Sequence, residues 1–86
     1  MELLFTEQFE EAYERLTDNE KRIVRKTMDI ICRDFMYPGL HTKKMEGRND
    51  IWESRPSKRL RMTFKIVQGS IVLRNVGEHN KVLKKP

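Results

Sequence analysis

Apolar and polar side chains alternate along residues 60–67 of the chain, LRMTFKIV. The apolar members are Leu60, Met62, Phe64 and Ile66, and the members between them are Arg61, Thr63, Lys65 and Val67. A period of two predicts a β-strand with one face on a core and the other in solvent. We expect Met62 and Phe64 to face the core, and Arg61 and Lys65 to lie on the solvent-exposed face.

Two further strands are predicted on either side of this segment, at residues 51–55 and 70–76. The sequences that separate them, PSKR at 56–59 and QGS at 68–70, are rich in residues that favour turns. The three segments therefore predict consecutive strands of one sheet, with residues 60–67 in its interior.

The first part of the chain predicts a short strand and a helix. Residues 1–6 are mostly apolar, which favours a strand, and Thr6 can cap a helix that begins at Glu7. One apolar stripe at helical spacing follows, formed by Phe9, Ala12, Tyr13 and Leu16. A first helix is expected over residues 7–16.

A second helix is expected from about residue 18 to residue 35. Thr17 and Glu20 have the spacing of a capping box, and Pro38-Gly39 ends the helical pattern. Its apolar stripe consists of Ile23, Val24, Met28, Ile31 and Phe35. Because the break between the two helices is short, they are predicted to form an antiparallel hairpin.

The remaining segments complete an α+β fold. Residues 41–50 predict a polar connection with Met45 as its core anchor, and residues 80–86 predict a basic, partly frayed tail. Trp52 is expected to pack on the helices and not to stack on a base. The order is β-α-α-β-β-β: one domain, residues 1–86, with the helical hairpin on one face of a small, mostly antiparallel sheet.

Charge is distributed unevenly along the chain. Residues 1–38 contain nine acids and six bases, whereas residues 39–86 contain four acids and twelve bases, so the net charges are −3 and +8. An excess of cations on one strand face and its bordering loops favours a polyanionic partner such as nucleic acid. A charged fraction of 36% beside 37% apolar residues is typical of a globular chain.

Several classes of protein and site find no support in the sequence. No apolar run approaches the roughly 20 residues that span a bilayer, and the acidic N-terminus is unlike a signal peptide, so we expect a cytoplasmic protein. Cys32 has no partner for an internal disulfide and is interpreted as a small buried apolar residue. No metal-ligand spacing, phosphate loop or dinucleotide motif is present, and neither a metal nor a cofactor is expected.

The chemistry left open is cleavage of RNA without a metal. The ribose 2′-hydroxyl must lose a proton, the charge that builds on the phosphorane needs donors, and the leaving 5′-oxygen needs a proton. Arg61 suits charge stabilisation, and His79 suits proton transfer. The cations available to bind flanking phosphates are Lys43, Lys44, Arg55, Arg59, Lys65 and Lys81. The alternative is that Arg61 and His79 are ordinary solvated residues.

An ordered set of short motifs resembles the RelE/ParE superfamily of bacterial toxins. The motifs are Lys-Lys-Met-x-Gly at 43–47, Ile-Trp-Glu-x-Arg at 51–55, Leu-Arg-x-x-Phe at 60–64 and Val-Gly-x-His-x-x-Val at 76–82. The predicted element order is that of the superfamily as well. The resemblance implies a toxin neutralised by a cognate antitoxin protein. In most members the target would be mRNA in the ribosomal A site; in the ParE branch it would be DNA gyrase.

The resemblance also implies roles for two residues. Arg61 falls on the arginine that binds the scissile phosphate in the RNA-cleaving branch, and His79 on the position of the general acid. Some members carry a carboxylate base in the loop before the sheet, and the nearest matching position of this chain is Lys43. Many members end the last motif with a tyrosine, and this chain has Leu83 there. Trp52 and Ser54 stand where another subgroup has lysines. The general base is therefore unassigned.

Three functions remain open from the sequence. The first is a ribosome-dependent endoribonuclease that cleaves mRNA and inhibits translation. The second is a gyrase-inhibiting toxin of the ParE type without nuclease activity. The third is a catalytically inactive relative that still binds an antitoxin. Only the first requires His79 and the cationic strand face.

Overall fold

A computed structural model describes residues 1–86 of the chain. The strands are β1 (Glu2–Phe5), β2 (Lys43–Lys44), β3 (Trp52–Ser54), β4 (Leu60–Val67) and β5 (Ser70–Glu78). The helices are α1 (Glu7–Glu14), α2 (Asp18–Arg33) and α3 (His79–Lys84), with a 3₁₀ turn at Pro38–Leu40. None of these helices has the length and apolar character needed to cross a bilayer.

The five strands form one sheet in the order β1-β5-β4-β3-β2. Strand β1 runs parallel to β5, and the other neighbours are antiparallel. The predicted α+β fold and the interior position of residues 60–67 are confirmed. The β4–β5 hairpin turns through Gln68 and Gly69, both with positive φ (48° and 80°), as a two-residue turn of matching twist requires.

The core lies between the α1–α2 hairpin and one face of the sheet, called here the inner face. The helices supply Phe9, Val24 and Ile31, and the buried sheet residues of this cluster are Leu60, Met62, Phe64, Ile71, Leu73 and Val76. Trp52 packs edge-on to Phe35 with ring centroids 5.4 Å apart, which agrees with the expected contact of Trp52 with the helices.

Both helix starts form as the sequence predicts. The Thr6 hydroxyl accepts a hydrogen bond from the backbone N–H of Phe9 at 3.1 Å. The capping box is complete, because the N–H of Glu20 donates to the Thr17 hydroxyl at 3.1 Å and the N–H of Thr17 donates to Glu20 Oε1 at 2.9 Å. The helices end at Glu14 and Arg33, about two residues before their predicted ends.

Two segments differ from the predictions. The connection at 41–50 contains the short strand β2, and Met45 within it is only half-buried, whereas the preceding Leu40 is buried. The expectation of a partly frayed tail is wrong. Residues 79–84 form α3, which packs on β4 and β5, and Val82 is 1% exposed.

Candidate functional site

The pairing register defines the face of the sheet opposite the α1–α2 hairpin, called here the outer face. Residues directly opposite each other on neighbouring strands project to the same face. One row across four strands consists of Lys43, Glu53, Thr63 and Asn75. The next row pairs Arg61 with Gly77, and on the other side Lys65 pairs with Val72. Arg61 and Lys65 thus lie opposite the helices, as predicted.

Arg61 is on the predicted face but is not exposed to solvent. Arg61 is only 8% exposed, so the expectation that its side chain lies in solvent is wrong. Nη1 lies 2.9 Å from the carbonyl oxygen of Leu60, 3.0 Å from that of Lys58 and 3.4 Å from that of Ser57. The turn before β4 therefore holds the guanidinium in place through neutral acceptors.

No carboxylate neutralises Arg61. The ion pairs of the structure involve other residues, and the buried Nε of Arg61 has no hydrogen-bond partner. A buried cation without an opposite charge is costly, and a buried N–H without an acceptor adds to that cost. An anion that reached this guanidinium would relieve both costs.

His79 lies at the same end of the β4–β5 ladder as Arg61. It is the first residue of α3 and is exposed. Glu78, which precedes it, pairs opposite Leu60 in the sheet. Glu78 Oε1 forms an ion pair with Arg59 Nη2 at 3.2 Å. Arg59, Arg61 and His79 are thereby brought to one corner of the sheet.

The other predicted cations divide into two groups. Lys43 and Lys65 lie on the outer face, and Arg55 and Lys81 are exposed at the end of β3 and on α3. Lys44 does not join them. It pairs opposite Trp52, with Nζ 5.5 Å from the centroid of the Trp52 ring and 3.8 Å from Asp50 Oδ1. Lys44 is therefore directed away from the candidate site.

Glu53 is the site residue that the sequence interpretation missed. It is 5% exposed and lies on the outer face between Lys43 and Thr63, and its carboxylate makes neither an ion pair nor a hydrogen bond. A signal was present in the sequence. If Trp52 packs on the helices, strand alternation places Glu53 on the opposite face, beside Thr63 and diagonal to Arg61.

The site offers donors and proton-transfer groups but no metal ligands in combination. No group of three or more histidine, cysteine or carboxylate side chains is placed to hold a metal ion. The arrangement provides one buried guanidinium and one buried carboxylate on the outer face, with one exposed imidazole just past the end of β5. These groups can bind an anion and move protons on either side of it.

No protein-family model and no curated protein matches the chain in sequence. Solved structures do match in fold. A YoeB/ParE toxin from Agrobacterium tumefaciens superposes with a TM-score of 0.80 at 14% identity, covering 92% of this chain and 99% of its own. The isolated RelE toxin of E. coli gives 0.71 at 14% identity, with 96% and 95% covered. The chain has the RelE/ParE toxin fold.

The same fold is found in a chain of a solved antitoxin–toxin complex. The RelB–RelE antitoxin–toxin complex from Methanococcus jannaschii matches with a TM-score of 0.77 at 13% identity, covering 94% of this chain and 95% of that chain. Because nearly the whole of each chain is covered, the RelE/ParE fold accounts for the α1–α2 hairpin and the five-stranded sheet together.

Proposed function

We propose that the protein is the toxin of a toxin–antitoxin pair and acts as a ribosome-dependent endoribonuclease that cleaves mRNA without a metal. The observation that carries the proposal is Arg61, a nearly buried guanidinium with no carboxylate partner and an unsatisfied Nε. A scissile phosphate would supply the missing negative charge and acceptor oxygens. The exposed imidazole of His79 lies at the same corner.

The three groups can divide the reaction between them. Glu53 takes the proton of the ribose 2′-hydroxyl, whose oxygen attacks the adjacent phosphorus. Arg61 stabilises the charge on the phosphorane oxygens. The imidazolium of His79 gives its proton to the 5′-oxygen as the P–O5′ bond breaks, which leaves a 2′,3′-cyclic phosphate and a free 5′-hydroxyl. Glu53 on β3 and His79 after β5 lie on opposite sides of Arg61, as attack and departure from opposite sides require.

The cations around this centre fit an RNA chain that extends beyond the cleaved bond. Arg55, Arg59 and Lys81 are exposed near the corner, and Lys43 and Lys65 lie farther along the outer face. Contacts of lysine and arginine with flanking phosphates would set the position of the RNA without reading its sequence. Lys44 is left out of this set.

The partner we propose is an antitoxin with an amphipathic segment. A groove of about 320 Å³ between β1, α1 and α2 is lined by four apolar or aromatic residues and three charged ones: Phe5, Phe9, Tyr13, Met28, Glu10, Glu14 and Arg25. Phe5 is 48% exposed there. A segment that folds on binding could place apolar side chains in this groove and acids near the basic part of the chain.

The mechanism is tested with purified protein and ribosomes programmed with a defined mRNA. We expect cleavage of the mRNA in the A site within one turnover, with 2′,3′-cyclic phosphate ends and no need for a divalent ion beyond those of the ribosome. In growing cells translation should stop before DNA replication. Intact mRNA together with an early arrest of replication would instead indicate the gyrase-inhibiting function, and neither effect would indicate an inactive relative.

Glu53→Gln should lower the single-turnover cleavage rate by about a hundredfold, because the amide keeps the shape of the side chain but cannot accept a proton as a base. The matched control is Glu46→Gln, which makes the same change at an exposed position of the loop between β2 and β3 and should leave the rate unchanged. Thermal unfolding of both variants checks that the fold is intact. A wild-type rate for Glu53→Gln would remove Glu53 from the reaction.

A further inference from the structure

The last six residues of the chain, 81–86, lie over the outer face and are called here the cover segment. Carbonyl oxygens of the segment accept hydrogen bonds from side chains of that face. Thr63 Oγ1 donates to the carbonyl of Pro86 at 2.7 Å, and Asn75 Nδ2 donates to that of Lys85 at 2.8 Å. As a result Thr63 is fully buried and Asn75 is only 9% exposed.

Side chains outside this row hold the same segment. Arg74 Nε donates to the carbonyl of Pro86 at 3.2 Å, Gln8 Nε2 to that of Lys85 at 3.0 Å, and Arg48 Nη2 to that of Leu83 at 3.3 Å. Val82 sits on Gly77, where an added Cβ would lie 3.8 Å from Val82 Cγ2. Gly77 is the direct neighbour of Arg61 across the strands, so the segment extends to the position of the proposed phosphate site.

Five side-chain hydrogen bonds and two buried residues, Val82 and Pro86, hold the cover segment. Val82 is buried but stands outside the cluster of residues that forms the main core. The side chains of the segment include three lysines and no acid, and none of these lysines makes an ion pair. It rests on a face that already contains Arg61, Arg74 and Lys65. Like charges among the side chains therefore oppose the closed arrangement, and hydrogen bonds to main-chain oxygens, together with the burial of Val82 and Pro86, support it.

We propose that the cover segment is an autoinhibitory contact that competes with RNA for the outer face, an inference that rests on the proposed function. In the closed state it buries Thr63 and Asn75 and flanks Arg61 and Glu53. In the open state residues 81–86 leave the outer face while His79 stays at the end of β5. RNA then gains access to the row Lys43–Glu53–Thr63–Asn75, and the released Lys81 is free to contact a flanking phosphate. An RNA strand would compensate the charge of both the face and the released lysines.

This competition links two measurable equilibria. If only the open state binds RNA, the apparent association constant equals that of the open state multiplied by the fraction of molecules that are open. A variant that weakens the cover by some factor should then strengthen RNA binding by the same factor. Amides of α3 and residue 85 report the opening by hydrogen exchange, since local openings of this kind expose them.

The test uses Thr63→Val in the full chain, with Thr27→Val as the matched control. Thr63→Val removes the donor to Pro86 and keeps the β-branched shape. Thr27 is also buried, 3% exposed, and its hydroxyl donates to the Ile23 carbonyl inside α2 at 3.0 Å, away from the cover segment. The probe is a ten-nucleotide oligouridylate RNA in low salt, and native-state hydrogen exchange is measured with and without it.

We expect Thr63→Val to speed exchange at residues 82–85 by about five- to tenfold, the effect of one lost hydrogen bond. Its affinity for the RNA should rise by the same factor, and saturating RNA should speed exchange of these amides in the wild type. Thr27→Val should change neither quantity at these positions. Unchanged exchange in Thr63→Val would show that the contact does not hold the segment.

Other outcomes overturn the competition as well. Faster exchange in Thr63→Val with unchanged or weaker RNA binding would show that the segment does not compete with RNA. Protection of residues 82–85 by RNA would show that the segment is part of the RNA site. These results would leave the nuclease proposal in place if the wild type cleaves mRNA. Absence of RNA binding in both wild type and Thr63→Val, with no cleavage, would reject the nuclease proposal and the competition together, whatever the exchange rates.

Discussion

His79→Ala should slow single-turnover cleavage of ribosome-bound mRNA by about a hundredfold or more, because the leaving 5′-oxygen then lacks its general acid. His79 is exposed and makes no side-chain hydrogen bond in the structure, so the free energy of unfolding should change by less than about 0.5 kcal/mol. Cleavage is followed by the appearance of the shortened mRNA, and stability by urea denaturation. A wild-type rate would place the proton transfer elsewhere.

Arg61→Ala should reduce the rate by a similar factor through loss of the charge-stabilising donor. Because Arg61 is buried and bound to carbonyls of the preceding turn, this variant should also lose stability, unlike His79→Ala. Arg61→Lys keeps the charge but not the planar fork, and should recover only part of the rate. The variant that combines Arg61→Ala and His79→Ala should slow cleavage by less than the product of the two single factors, since both residues serve one transition state.

Phe64→Ala should lower the free energy of unfolding by about 3–5 kcal/mol, because it opens a cavity at the centre of the core. Phe64 is fully buried in β4 between β5 and β3, and its ring lies 6.4 Å from that of Phe35. For a chain of this length such a loss corresponds to a large share of the total stability. Urea denaturation measures the change.

A control for Phe64→Ala is available on the same strand. Val67 ends β4 and is 48% exposed, so Val67→Ala should change the free energy of unfolding by less than about 0.5 kcal/mol. Phe64→Leu, which leaves a smaller cavity, should fall between the two and remain folded if Phe64→Ala does not. Equal stability of Phe64→Ala and Val67→Ala would contradict the position of the core.

The parts of the fold that could be predicted are those set by local pattern. The alternation at 60–67 assigns each side chain to a face of the sheet, and the capping box at Thr17 marks the start of α2 within one residue. Short-range signals of this kind do not depend on what packs above them. Strand β2 was missed because two lysines have little strand preference of their own; they pair only because β3 offers them a free edge.

Exposure on the outer face could not be predicted from the same pattern. Alternation places Arg61 opposite the helices, but its burial depends on the turn carbonyls that surround it and on α3 beside it. The sequence of α3 shows two adjacent apolar residues, Val82 and Leu83, among polar ones, which is also a pattern that a solvated tail can have. The two residues after α3, Lys85 and Pro86, are held by hydrogen bonds from Thr63, Asn75 and Gln8, and these contacts span from ten to 77 residues of chain.

The position of β5 between β1 and β4 has a consequence for synthesis on the ribosome. Strand β1 is made first, yet its only neighbour in the sheet is β5, and Glu2 pairs with Ser70 across almost the whole chain. Until residues 70–78 emerge, β1 has no strand to pair with and the helices have only an incomplete inner face to cover. Arg61 also lacks its neighbours Gly77 and His79. Contacts so distant in sequence form late. A nascent chain therefore carries no assembled outer face until β5 has emerged, and the proposed cleavage of mRNA could begin only after that point.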